Sequence, residues 1–135
     1  MSGSKRDIAF NLNGDKSLFT ELSKVINRAA DTTVQVHNRT KRRAEPELKL
    51  IMSLRKKIGQ NTENSTIYMS RAEVRLIQGL LLNISATLYT SVIPNYRNRI
   101  EKEPETAKDY QPYIEKCEDR IMSYKKILEI IQSLL

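Results

Sequence analysis

Tryptophan is absent from this 135-residue chain, cysteine occurs once, and glycine and proline occur four times each. One cysteine excludes an internal disulfide and suits a reducing compartment. With so few turn formers beside abundant Leu, Ile, Lys, Glu and Arg, the composition argues for long helices rather than a β-rich fold. No unbroken apolar run approaches the ~20 residues that span a bilayer. The opening MSGSKRD carries no apolar stretch of a secretory signal. The expectation is a cytoplasmic protein with no membrane partner.

Catalytic groupings are equally scarce. His37 is the single histidine and has no cysteine near it, whereas a metal site needs several ligands at defined spacing. Gly3, Gly14, Gly59 and Gly79 are scattered and form no phosphate-cradling loop. Cys117 falls within an apolar seam, where a thiol acts as a small buried hydrophobe. The carboxylates of EKEPE and EKCED alternate with lysines, the pattern of solvated ion pairs. No enzyme activity, cofactor or metal is expected.

What the chain has is positive charge, +7 in all, unevenly placed. Residues 1–23 and 58–135 each balance. Residues 24–57 hold ten basic groups against Asp31, Glu45 and Glu47. A local surplus of this kind marks an acidic partner, or at least a local positive field. On a helical wheel drawn from Leu48, Leu50, Ile51, Leu54 and Ile58 fall on one arc. Lys49, Ser53, Lys56 and Lys57 fall on the opposite one, with Arg55 at the border. The preceding NRTKRR reads as a loop and adds Arg39, Lys41, Arg42 and Arg43. These eight cations are the candidate phosphate contacts. Aromatic residues that would stack on bases are missing from 24–57, so this segment supplies affinity without sequence reading.

Periodicity places the elements. Residues 1–6 read as disordered and 7–135 as one domain. Ile8, Phe10 and Leu12 alternate ahead of an Asn-Gly turn, the pattern of a short extended piece. Leu18, Leu22, Val25 and Ala29 give a first helix from about Ser17 to Ala30. The β-branched DTTVQVHN either forms an extended piece near 32–37 or continues that helix. A second helix is predicted over Pro46–Ile58 with Gly59 as its cap, then an extended TIYM near 66–69. Ser70 and Glu73 form a capping box opening an apolar helix expected to sit at the centre of the fold, ended or bent by Pro94. From Pro112 the last helix repeats at Ile114, Cys117, Ile121, Tyr124, Leu128, Ile131 and Leu135.

The fold class expected is therefore mainly α, a bundle of three or four helices with long C-terminal antiparallel helices and minor extended pieces. Outside the last seam, Ile127, Ile130 and Leu134 offer a second apolar stripe for a partner or a second copy. The expected function is a non-enzymatic, self-associating binding protein that engages nucleic acid or a phosphorylated ligand through residues 39–57. The alternatives are a small regulatory or inhibitory protein docking on a larger one, and an oligomer sequestering small phosphorylated ligands.

Overall fold

The structure is a computed structural model that describes residues 7–40 and 45–135, with backbone alone for Thr40. The chain is mainly helical, in the order β1 (Ile8–Phe10), α1 (Lys16–Thr40), α2 (Glu45–Gly59), β2 (Ile67–Met69), α3 (Arg71–Thr87), a π-helical turn (Leu88–Val92), α4 (Ile93–Lys102), a 3-10 turn (Pro104–Thr106) and α5 (Ala107–Leu134). The first six residues, expected to be disordered, lie outside the described residues.

Two of the three expected extended pieces form. β1 and β2 pair antiparallel with Ile8 opposite Met69 and Phe10 opposite Ile67. Phe10, Ile67 and Met69 face the core while Tyr68 faces out, the alternation that a half-covered ribbon requires. Asn13 (φ 57°) and Gly14 (φ 76°) supply the left-handed turn after β1. Asp15 then starts α1, its Oδ1 accepting from Leu18 N at 3.1 Å.

The third piece, near 32–37, is a correction: α1 runs through it unbroken. Thr33 Oγ1 donates to the Ala29 carbonyl at 2.7 Å, satisfying the hydroxyl within the helix. The half-buried positions Thr33, Val34 and His37 extend the inward face of Leu22, Ile26 and Ala30 at helical rather than alternating spacing. The propensity costs of these residues are only a few tenths of a kcal/mol each, too little to end a helix whose inward face continues. Arg39, expected on a loop, stands in this helix. Gly59 is a second correction. It has no left-handed φ, and the end of α2 is instead sealed by Asn61, whose Nδ2 donates to the Lys57 carbonyl at 2.6 Å.

Residues Arg71–Lys102 form one rod of 32 residues. Proline cannot donate to the carbonyl four residues back, and its ring crowds that carbonyl. The rod absorbs Pro94 by widening: Ile93 N donates to the Leu88 carbonyl, five residues back. By length and composition the rod would suffice to cross a membrane, since no charged residue occurs from Leu76 to Tyr96. Its expected central burial is corrected too. Glu73, Val74, Ile77, Leu81, Leu88 and Ile93 are buried, but Leu82 (54 % exposed) and Tyr89 (71 %) stand outside.

α5 starts at Ala107, so Pro112 lies inside it. The helix packs on α1, α3, α4 and β1, which cover a wider arc than a two-helix seam would. Ile127 is accordingly fully buried, while Ile121 and Leu128 are half-buried and Leu135 is exposed. Ile130 and Leu134 also pack against the core. Of the second stripe proposed for a partner, Ile127 is thus taken up by this fold's own core, and Ile130 and Leu134 are half covered by it.

Glu73 ties the helices together at the other end. Its side chain is only 3 % exposed, and its Oε1 accepts from Lys57 Nζ at 2.7 Å and from Ser70 N at 2.8 Å. Oε2 accepts from Ser53 Oγ at 3.1 Å, and Lys57 also donates to the Tyr68 carbonyl at 3.0 Å. Burial pushes the Glu73 carboxyl up, but the Lys57 hydrogen bond and charge, with those from Ser70 and Ser53, hold it below its ordinary 4.5. A depressed carboxyl contributes stability that is present above its unfolded pKa and lost as pH falls through the folded one. Glu73→Gln is expected to cost about 3 kcal/mol in urea unfolding at neutral pH, the low end for a broken buried pair because Lys57 still touches water. Lowering the pH below 4.5 should then narrow the gap between the native chain and this variant.

Candidate anion-binding groove

The predicted basic segment divides once its side chains are placed. Lys49 Nζ lies 3.7 Å from Glu45, Arg55 Nη1 3.5 Å from Asp31 of α1, and Lys57 2.7 Å from buried Glu73. Lys57 is therefore a structural cation. Arg39 and Lys56 are exposed and have no carboxylate partner among the described residues. Lys41, Arg42 and Arg43 lie outside the described residues. The α2 face that looked unmixed in sequence is thus largely supplied with counter-charges. Some come from the helix's own first turn, others from neighbouring helices.

A different set of cations converges where α1, α3 and α5 meet. A cavity of about 480 Å³ is lined by Lys24 and Arg28 of α1, Ile84 of α3, and Lys116, Asp119 and Arg120 of α5. Ser17, Glu21, Val25, Ser123 and Tyr124 complete its wall. It adjoins a second cavity of about 510 Å³ that shares Arg28, Ile84, Lys116 and Arg120 and continues along Asn83, Thr87, Leu88, Val92, Tyr96, Tyr113 and Cys117. Through these four shared residues the two run together as one groove of mixed polar and apolar lining.

Helical spacing assembles it. Lys24 and Arg28 are four residues apart, as are Lys116 and Arg120, so each pair shares one helix face. Val25 and Cys117 turn into the core beside them and fix that face towards the groove. Lys24 is engaged by Glu21 at 3.6 Å, with its side chain mostly exposed. Arg120 Nε donates to Tyr124 Oη at 3.1 Å, and its guanidinium carbon lies 5.8 Å from that ring's centre, which holds the head in place. Arg28 and Lys116 have no ion pair or side-chain hydrogen bond among the described residues. Four cations against Glu21 and Asp119 leave the groove net positive, in a concave site where field lines concentrate.

Sequence reasoning counted Lys24 and Arg28 in the basic segment but left out Lys116 and Arg120 for one reason. Lys116 and Arg120 sit in a stretch whose charges cancel on paper. Folding separates them: Glu118 turns aside to Arg97 at 3.2 Å. The signal available was the i,i+4 spacing of Lys116 and Arg120 around a buried seam position. Among the described residues no group of three His, Cys, Asp or Glu side chains could hold a metal ion.

Comparison with protein-family models, with curated proteins and with solved structures finds no match to this chain. Because the Asp31–Arg55 pair is exposed, Asp31→Asn is expected to change unfolding free energy by less than about 1 kcal/mol. A larger loss in urea titration would show that the α1–α2 pairing depends on it.

Proposed function

We propose that this protein is a non-enzymatic binding protein for a phosphate-bearing partner, nucleic acid foremost, and that the α1–α3–α5 groove is its principal seat. The observation that carries the reading is the convergence of Lys24, Arg28, Lys116 and Arg120 on one concave surface, where only Lys24 is engaged by a carboxylate among the described residues. Unengaged cations are the ones that a phosphate can approach without displacing a partner, and a cleft strengthens their joint field. Arg39 and Lys56 are free to add more distant contacts, whereas Lys57 is committed to the fold.

A labelled single-stranded oligonucleotide titrated at several salt concentrations tests this. Replacing Arg28 and Lys116 together by Ala should weaken binding and flatten the plot of log K against log salt by roughly 1.4, two cations at about 0.7 each. Replacing Lys49 and Arg55 should do much less. The reverse ranking would move the site back to α2.

Self-association draws support from a separate surface. The outer face of α3 exposes Gly79, Leu82 and Ala86, with Tyr89 beyond, and no charge. Two copies of a chain with net charge +7 repel one another, so an uncharged face is where they can meet at least cost. Sedimentation should show a dimer that Leu82→Lys dissociates. A chain that sediments as a monomer at high concentration would remove this reading.

A further inference from the structure

The groove ends on an aromatic ladder that a bare anion would not need. Tyr96 of α4 stacks on Tyr113 of α5 with ring centres 5.8 Å apart and planes 14° from parallel. Tyr110 packs on Tyr96 at 5.4 Å with a 35° tilt. The far end is closed by Arg99, whose guanidinium carbon lies 5.8 Å from the Tyr110 ring centre and whose Nη1 donates to Tyr110 Oη at 3.4 Å. The near end is open. Tyr113 keeps 52 % of its surface exposed, and both it and Tyr96 line the same cavity as Arg28, Lys116 and Arg120.

We infer that Tyr113 is a stacking platform for an unpaired base, so that the groove takes single-stranded nucleic acid, phosphates on the cations and a base on the tyrosine. This rests on the phosphate-binding reading above and narrows it. Tyr113, Lys116 and Arg120 lie at i, i+3 and i+7 on α5, which aligns ring and cations along one helix face over roughly 10 Å. A large aromatic left more than half open at the end of a ladder gains by being covered, and a base is a flat ring attached to a phosphate. Asn83 of α3, exposed and lining the same cavity, has a side-chain amide with no partner among the described residues and can meet a base edge. A duplex buries its bases in its own stack and cannot offer one to Tyr113 without unpairing it.

The test compares an oligothymidine, an abasic strand of the same length, and a duplex of that length on the full chain, by fluorescence anisotropy. The oligothymidine should bind more tightly than both. Tyr113→Ala should weaken oligothymidine binding about ten-fold and leave abasic-strand binding unchanged, since stacking contributes per base and not per phosphate. Tyr113→Phe, which keeps the ring, should bind as the native chain does. Matching circular-dichroism melts keep a folding defect from imitating the result, and an unfolded Tyr113→Ala leaves the native chain's ranking of the three ligands as the deciding measurement. Equal binding of oligothymidine and abasic strand, or a duplex that binds best, would overturn the stacking platform while the phosphate groove stands. No binding of any of the three would overturn both.

Discussion

A single buried carboxylate holds the N-terminal half of this protein in register. Glu73 completes the cap of α3 through Ser70 and takes the Lys57 ammonium and the Ser53 hydroxyl from α2. Lys57 in turn reaches the Tyr68 carbonyl of β2. Three elements are thereby fixed around one charge, and β2 fixes β1 through the ribbon. Burial of an ion in this way is tolerated only when its oxygens are fully engaged, and here both are.

The same pairing changes what the basic segment means. A lysine counted as a free cation in the sequence is consumed by the fold, and its neighbours Lys49 and Arg55 have carboxylates within 4 Å. Positive charge remains, but its concave concentration lies elsewhere, on α1 and α5. The π-helical turn contributes to that wall as well. By absorbing Pro94 without ending the helix, it carries Leu88 and Val92 past the groove and sets Tyr96 against Tyr113 and Tyr110. Had the proline broken the helix, the aromatic ladder would have no second rail.

Much of the fold was readable locally. The capping box of Ser70 and Glu73, the Asn-Gly turn, the alternation of Ile8 and Phe10, and the buried positions Ile114, Cys117, Tyr124 and Ile131 all appear where the residue types require them. The stretch 32–37 stayed open between strand and continued helix, because β-branched residues lower helix propensity by only a few tenths of a kcal/mol each and do not by themselves end a helix. Ile127 was placed outside the core because a heptad seam assumes one neighbour, whereas α5 has several.

Local pattern alone was enough for the helical class, the two ribbon strands and the capping box of α3, since each depends on residues within a turn or two of one another, and composition alone set the positive surplus. Which cations stay free depends on how the helices come together. An ion pair such as Lys57–Glu73 or Arg55–Asp31 joins residues far apart in the chain, and Coulomb attraction depends on distance in space. Local charge counting cannot see that distance, and so it could neither spend Lys57 nor gather Arg28 with Lys116.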